Sequence, residues 1–281
     1  MPKNQSLKLI KKLKDIAKKA RFYTIKTAVL SKAPLHLGGA LSMIDILTVL
    51  YFVILKIRPS DPKWSERDRF ILSKGHAGFG LFSILALKNY FPLKELFTIN
   101  LPGSRLVTHI DFKTPGVDMA TGSLGQGLSI GVGMALGAKL EKKKYKVFVL
   151  LGDGEVDSGQ IWEAAMAATK YKLDNLIAII DFNKLQLDGK IEDIMPLEPL
   201  SAKWQAFNWE VLEIDGHNIN QILKAFQEEV RIRKKPTLII AHTIKCKGIP
   251  FLESKKESHR LIVNTDELKC QISQALKMLN K

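Results

Sequence analysis

The sequence predicts an α/β fold, a doubly wound and mostly parallel sheet with helices on both faces. Short apolar runs such as 147–151 and 176–180 alternate with segments of helical length, which is typical of parallel strands buried on both sides. The 281 residues are 46% hydrophobic, enough for a large core, and no linker-like segment divides them. We therefore expect one domain over 1–281, with a basic N-terminal helix at about 1–32 and a helical extension at about 250–281.

Local patterns define the elements of this fold. Leu9 and Leu13 lie at helical spacing in the first helix, and Ser42 has the side chain of an N-cap for a helix that continues to Leu55. In chain order we predict helix 7–30, helix 42–55, strand 70–72, a helix to about 90, a loop at 101–118, helix 127–142, strand 146–151, helix 159–171, strand 176–182, a turn at 188–189, helix 200–207, strand 209–214, helix 219–233, strand 237–244 and helix 266–279.

The composition argues against several classes of protein. The formal net charge of +15 is concentrated at the two ends without a nucleic-acid-binding motif, so we predict solvated basic helices and no nucleic-acid partner. Attraction of anionic ligands or of an acidic partner surface is a second hypothesis. Cys246 and Cys270 have neither a disulfide framework nor metal-ligand spacing. Because no long apolar run or secretory signal is present, we expect a cytoplasmic protein that spans no membrane.

Polar residues follow two of the predicted strands at the point where each strand ends. Gly152-Asp153-Gly154 comes directly after the first, and Asn183 comes directly after the second. Ligands bind at the carboxyl ends of strands in open α/β sheets, and carboxylate and amide oxygens suit Mg²⁺ or Ca²⁺ together with phosphate. Simple turns are the alternative, but strand, GDG, helix, strand and Asn occur in order within one βαβ-sized unit. We therefore predict a metal-bridged diphosphate site.

Four of the six histidines lie in loops rich in glycine and proline, where functional residues concentrate. These are His36, His76, His109 and His259. A single histidine is more often structural, but four in the loops of one α/β domain indicate a site that exchanges protons near neutral pH. We interpret His217 as a turn residue at the start of a helix rather than a catalytic group.

The amino-acid sequences of several long segments resemble those of one known family. The GDG-to-Asn unit is similar to the thiamine diphosphate motif, and the whole chain from about residue 20 to 248 resembles the amino-terminal subunit of split transketolases. The segments that carry the resemblance are RDRFILSKGHA at 67–77, TGSLGQGLS at 121–129, YKLDNLIAI at 171–179, LQLDG at 185–189 and IDGHN at 214–218.

The resemblance assigns roles to particular residues in a thiamine diphosphate-binding fold. It implies Mg²⁺ (or Ca²⁺) ligation by Asp153, Asn183 and the backbone carbonyl of Leu185. It implies contacts with the thiamine diphosphate cofactor from Gly122, Ser123, Leu124, Gly152, Asp153, Gly154, Glu155 and Asn183. It implies that His36, His76, His109 and His259 contact the substrate's hydroxyls and carbonyl and move protons.

The resemblance also implies a reaction and a partner. The expected activity is transfer of a two-carbon ketol unit between ketose and aldose phosphates. It requires a C-terminal transketolase subunit, the pyrimidine-binding half, in a two-fold symmetric heterotetramer, so we expect this chain to be inactive alone. Alternatives are a subunit of another thiamine diphosphate enzyme, deoxyxylulose phosphate synthase-like or 2-oxoacid dehydrogenase-like, or a non-catalytic regulatory homologue. The presence of Asp153 and Asn183 argues against the last.

Departures from the family pattern lie on the substrate or interface side. Ser158 stands where the family often has a glutamate at the dimer contact, and Pro34-Leu35 replaces the family's Ser-Gly. His109 is followed by isoleucine instead of proline, and His259 by Arg260 instead of glycine. The cofactor class is therefore better specified by the sequence than the sugar substrate.

Overall fold

A five-stranded, fully parallel sheet forms the centre of the protein in this computed structural model. The structure describes residues 3–31, 34–229 and 234–280. The strands are β1 (Arg69–Leu72), β2 (Val147–Gly152), β3 (Leu176–Phe182), β4 (Glu210–Asp215) and β5 (Thr237–His242), in the spatial order β1-β2-β3-β5-β4. All four pairings are parallel, which confirms the predicted sheet.

Helices connect the strands and extend both ends of the chain. They are α1 (Lys3–Leu30), α2 (Leu37–Ser42), α3 (Ile44–Val49), α4 (Gly78–Leu87), α5 (Gln126–Leu140), α6 (Gly159–Lys170), α7 (Ile191–Ile194), α8 (Leu200–Ala206), α9 (Ile219–Glu229) and α10 (Asp266–Asn280). The last four positions of the predicted helix 219–233 lie outside the described residues. None of the helices in the described ranges is long and apolar enough to cross a membrane.

Each central strand is buried on both faces, which explains its uninterrupted apolar sequence. In β3, Ile177 and Ile179 pack with α1, α3 and α9 on one side. The alternate residues Leu176, Ala178 and Ile180 pack with α5, α6 and α8 on the other. Because successive strand side chains point to opposite faces, one strand serves two cores, and the doubly wound prediction is confirmed.

The prediction that Ser42 caps a helix is wrong. The helix begins earlier, at Leu37, and Ser42 is the last residue of α2. The Ser42 hydroxyl donates instead to the buried carboxylate of Asp181. Gly38 leaves no room for a side chain, since an added Cβ would lie 2.8 Å from Cγ of Lys245. Ser42 is thus used in a tertiary contact with Asp181 instead of a helix cap.

The register of the sheet brings three strand ends to one edge. Gly152 at the end of β2 pairs with Asp181 of β3, and Phe182 pairs with His242 at the end of β5. The residues that immediately follow, Asp153 and Asn183, therefore emerge side by side above the sheet, as the sequence predicted.

Candidate active site

A cleft of about 320 Å³ lies at the carboxyl edge of the sheet. It brings together residues from eight separate parts of the chain. Among the predicted site residues, its walls contain His36, His76, His109, Gly122, Leu124, Gly152, Asp153, Gly154, Glu155, Asn183, Leu185 and His259. Ser123 is exposed and does not line the cleft.

Asp153 is a buried carboxylate that forms no ion pair with any of the described residues. Its Oδ1 accepts from the backbone N–H of Gly154 at 2.9 Å, and its Oδ2 accepts from that of Lys184 at 2.6 Å. Burial, and then the neighbouring charge of Asp181, raise the pKa of Asp153 to about 7. A bound cation would favour the ionised form. The carboxylate is therefore suited to a metal ion.

Two further oxygens lie beside it. Asn183 Oδ1 accepts from the backbone N–H of Leu185 at 3.2 Å, and the Leu185 carbonyl lines the same cleft but accepts from Lys245 Nζ at 2.9 Å. A carboxylate, an amide and a backbone carbonyl are the hard donors that Mg²⁺ and Ca²⁺ use. The residues fit a divalent cation if Lys245 gives up its contact with Leu185. We call Asp153, Asn183 and Leu185 the oxygen edge.

Two buried lysines line the cleft and were missed by the sequence analysis. Lys74 forms an ion pair with the fully buried Asp181 and donates to the Gly39 carbonyl at 2.8 Å. Lys245 Nζ donates to the Leu185 carbonyl and contacts His259 Nδ1 at 3.1 Å. Burial is the main cause that lowers the pKa of Lys245 to about 8. Lysine is a common binder of phosphate, so these ammonium groups suit a diphosphate beside the oxygen edge.

The four predicted histidines converge from four loops, and we call them the histidine wall. The His36 ring centroid lies 4.8 Å from His76, 5.1 Å from His259 and 6.4 Å from His109. Each of His36, His76 and His259 offers a ring nitrogen within 4.8 Å of the others. The sequence predicted these residues as a group, and the structure places them together.

Three members of the histidine wall have pKa values that are lowered from the ordinary value. Burial and then the charge of Lys74 lower the pKa of His76 to about 2. Burial and then Lys245 lower the pKa of His259 to about 4. Burial is also the first cause that lowers the pKa of His36. A neutral imidazole both donates and accepts a hydrogen bond, so this surface can contact hydroxyl and carbonyl oxygens.

Glu155 joins the oxygen edge to the loop at 122–125. Its carboxylate accepts from the backbone N–H groups of Gly125 at 2.8 Å and Gly152 at 3.0 Å and from the Ser73 hydroxyl. Gly125 has φ of +87°, in the left-handed region that glycine adopts without strain. The carboxylate oxygens of Glu155 are thus used to position Gly122 and Leu124 at the cleft.

A histidine outside the cleft supports the segment that carries Lys245. The backbone N–H of Ile244 donates to His217 Nε2 at 2.8 Å, so His217 Nδ1 carries the proton and donates to Asp45 at 2.8 Å. Asp45 in turn pairs with Arg21 of α1. His217 is a turn residue, as predicted, but the turn chemistry gave no sign of this buried network.

A larger cavity of about 800 Å³ lies on the other side of the segment around Asn183 and Leu185. It is lined by Phe182, Ile191, Pro196, Leu197 and Ile244 among others. Neither Asp153 nor the histidine wall reaches it. We therefore place the chemistry in the smaller cleft, where the ionisable groups converge.

The fold and the cleft together define a class of protein. A parallel sheet that presents oxygen donors, lysines and glycines at its carboxyl edge is a domain for a phosphorylated cofactor. The chain belongs to the family described as the transketolase, thiamine diphosphate binding domain, which matches residues 13–278. The resemblance predicted from the sequence is confirmed.

Similar proteins cover the chain almost completely. It is 48% identical over 243 residues to the 6-deoxy-6-sulfo-D-fructose transketolase subunit SqwG of Clostridium sp. (strain MSTE9), covering 86% of this chain and 88% of that protein. It is 42% identical over 264 residues to an apulose-4-phosphate transketolase subunit from Actinobacillus succinogenes, covering 92% of this chain and 95% of that protein.

A solved structure extends the comparison to a longer chain. The transketolase of Campylobacter jejuni superposes with a TM-score of 0.87 at 33% identity, covering 94% of this chain and 42% of that chain. This protein therefore spans less than half the length of that transketolase but nearly all of the two relatives named as subunits.

Proposed function

We propose that this protein is the thiamine diphosphate-binding subunit of a split transketolase. It transfers a two-carbon ketol unit between a ketose and an aldose that carry an anionic group. The observation that carries the proposal is the cleft, in which the oxygen edge and the histidine wall face one space. The coverage of relatives named as transketolase subunits supports the same conclusion.

In this proposal the oxygen edge holds the cofactor through a metal. Asp153, Asn183 and the Leu185 carbonyl bind Mg²⁺ (or Ca²⁺), while Lys74 and Lys245 compensate the charge of the diphosphate. Gly122 and Leu124, on either side of the exposed Ser123, would contact the rest of the cofactor, and Gly152 and Gly154 would let the diphosphate approach the backbone. The bound cofactor supplies the electron sink that cleavage of a carbon–carbon bond needs.

The histidine wall acts on the sugar. Ketol transfer creates and removes charge on hydroxyl and carbonyl oxygens, and positioned imidazoles can stabilise that charge and move the protons. Since His76 and His259 are held neutral, each begins a step able to donate one hydrogen bond and to accept another, and it can return a proton only after it has accepted one. The relatives' names refer to a sulfo sugar and to a sugar phosphate, so we expect an anionic sugar without restricting it to one pathway.

The C-terminal partner covers the outer side of α5 and α6. A side chain added at Gly133 or Gly137 would meet nothing within 4 Å, so these glycines present an open face that permits close approach. Leu140 at the end of α5, Met166 in α6 and Tyr171 just after α6 are exposed. We propose that two subunits of each kind assemble around a two-fold axis, burying well over about 2,000 Å² at an obligate interface.

Reconstitution tests the proposal. The chain is purified alone and together with a C-terminal transketolase half, and ketol transfer is measured with excess thiamine diphosphate and Mg²⁺. We expect turnover only from the assembled protein, and none when Asp153→Asn replaces the wild type. Robust turnover by the chain alone would contradict the proposal, as would an inactive complex that binds the cofactor normally.

A further inference from the structure

A two-residue bridge sets the position of Arg260, the residue that follows His259 in the histidine wall. Leu35 and Leu261 form an isolated antiparallel bridge in which each backbone N–H donates to the other's carbonyl at 3.0 Å. The bridge holds the segment that carries His36 beside the segment that carries His259 and Arg260. Arg260 therefore belongs to the part of the backbone that brings His259 to His36.

The guanidinium of Arg260 is uncommitted. Arg260 is exposed, and within residues 3–31, 34–229 and 234–280 it forms no hydrogen bond and no ion pair. Its charge nevertheless reaches the cleft: burial, then the charges of His109 and Arg260, lower the pKa of His36. A cation at the edge of a cleft with free donors is available to a ligand.

The other cations of the cleft are arranged differently. Lys74 and Lys245 are buried and are engaged by protein oxygens, and Lys245 also contacts His259. Arg260 follows His259 in the chain and faces solvent. An anion bound there would be separate from the diphosphate and would be part of a molecule that enters past the histidines.

We propose that Arg260 recognises the anionic group of the sugar substrate at the mouth of the cleft, on the histidine side. The planar guanidinium offers paired donors that match the oxygens of a phosphate or sulfonate. The inference rests on the proposed transketolase activity and makes Arg260 a determinant of its specificity.

The test compares two acceptors that differ only in their charge. The complex reconstituted with its C-terminal half is assayed with the uncharged donor erythrulose and either erythrose 4-phosphate or erythrose. Arg260→Gln should lower kcat/KM for the phosphorylated acceptor about tenfold by raising KM, equivalent to about 1.4 kcal/mol. Its kcat/KM for erythrose should stay within about twofold of the wild type. Arg260→Lys should restore part of the loss. Lys256→Gln, which removes an exposed charge from the same segment, is the matched control.

The outcomes separate this inference from the proposed function. If the wild-type complex transfers ketol units to neither acceptor, the proposed function fails and this inference fails with it. If the wild type is active and Arg260→Gln lowers kcat/KM equally for both acceptors, or for neither, the anion-recognition role is wrong. Dissociation of the Arg260→Gln complex on a sizing column, with unchanged selectivity, would show that Arg260 contacts the partner instead and would also overturn the inference.

Discussion

The oxygen edge and the histidine wall line one cleft but are built in opposite ways. Asp153 and Asn183 follow neighbouring strands whose register fixes them side by side, so the arrangement is already implicit in a βαβ unit. The histidine wall is built from four loops that are spread over more than two hundred residues of the chain. A site made from strand ends is therefore specified locally, whereas a site made from loops depends on the whole fold.

The two regions also differ in their electrostatics. Burial raises the pKa of Asp153 to about 7, so the oxygen edge gains from a cation. Burial and lysine charges lower the pKa values of His76 and His259, so these two members of the histidine wall stay neutral. We infer that the oxygen edge binds the metal and the diphosphate, and that the histidine wall exchanges protons with the sugar. Variants should therefore separate cofactor binding from sugar chemistry.

The largest expected effect is at the oxygen edge. Asp153→Asn removes the only charged ligand we assign to the metal, so metal-dependent binding of thiamine diphosphate should become undetectable. Calorimetry on the reconstituted complex with Mg²⁺ measures it. Glu192→Gln, an exposed acid away from the cleft, should bind like the wild type. Unchanged affinity in Asp153→Asn would remove Asp153 from the site.

The next effect is at the histidine wall. His76→Gln should lower kcat/KM for sugars by about a hundredfold or more, because a positioned acid–base group is lost, while cofactor affinity changes less than about threefold. His242→Gln is the control, since His242 is exposed, pairs with Glu213 and lies outside the cleft. Wild-type steady-state kinetics from His76→Gln would contradict the assignment.

His217 should couple the two regions. His217→Ala leaves the Ile244 N–H without its acceptor and removes one partner from Asp45, which should cost about 1–3 kcal/mol of unfolding free energy. Lys245 is the residue after Ile244, and it contacts both the Leu185 carbonyl and His259. Cofactor affinity and sugar kcat/KM should therefore fall together. Urea unfolding and both assays measure this, and a stable variant with only one property altered would rule out the coupling.

The sequence predicted the oxygen edge better than its surroundings. Apolar runs ending in Asp153 and Asn183 were enough, because parallel register follows from a βαβ unit. No local pattern indicated that Lys245 would reach the Leu185 carbonyl, since that contact depends on how the segment after β5 folds back over the cleft. Ser42 was misassigned for the same reason: its partner Asp181 lies 139 residues away, beyond any capping rule.

The smallest expected effect is on the pH dependence of stability. The folded pKa of His76, about 2, lies below its ordinary value of 6.5, so below pH 6.5 the imidazole binds a proton in the unfolded chain but stays neutral in the folded chain. The unfolding free energy is therefore highest above pH 6.5 and decreases as the pH falls, by up to about 1.4 kcal/mol per pH unit. In urea unfolding of the isolated chain, His76→Gln should lose less stability than the wild type between pH 6.5 and 5. An equal decrease of the unfolding free energy with pH in both proteins would show that His76 is not held neutral.

The division of labour within the cleft is tested most directly by one calorimetric comparison. Thiamine diphosphate is titrated into the reconstituted wild-type, Asp153→Asn and His76→Gln complexes at equal Mg²⁺. We predict that Asp153→Asn loses binding while His76→Gln binds within about threefold of the wild type. Equal weakening in both variants, or loss only in His76→Gln, would contradict separate roles for the oxygen edge and the histidine wall.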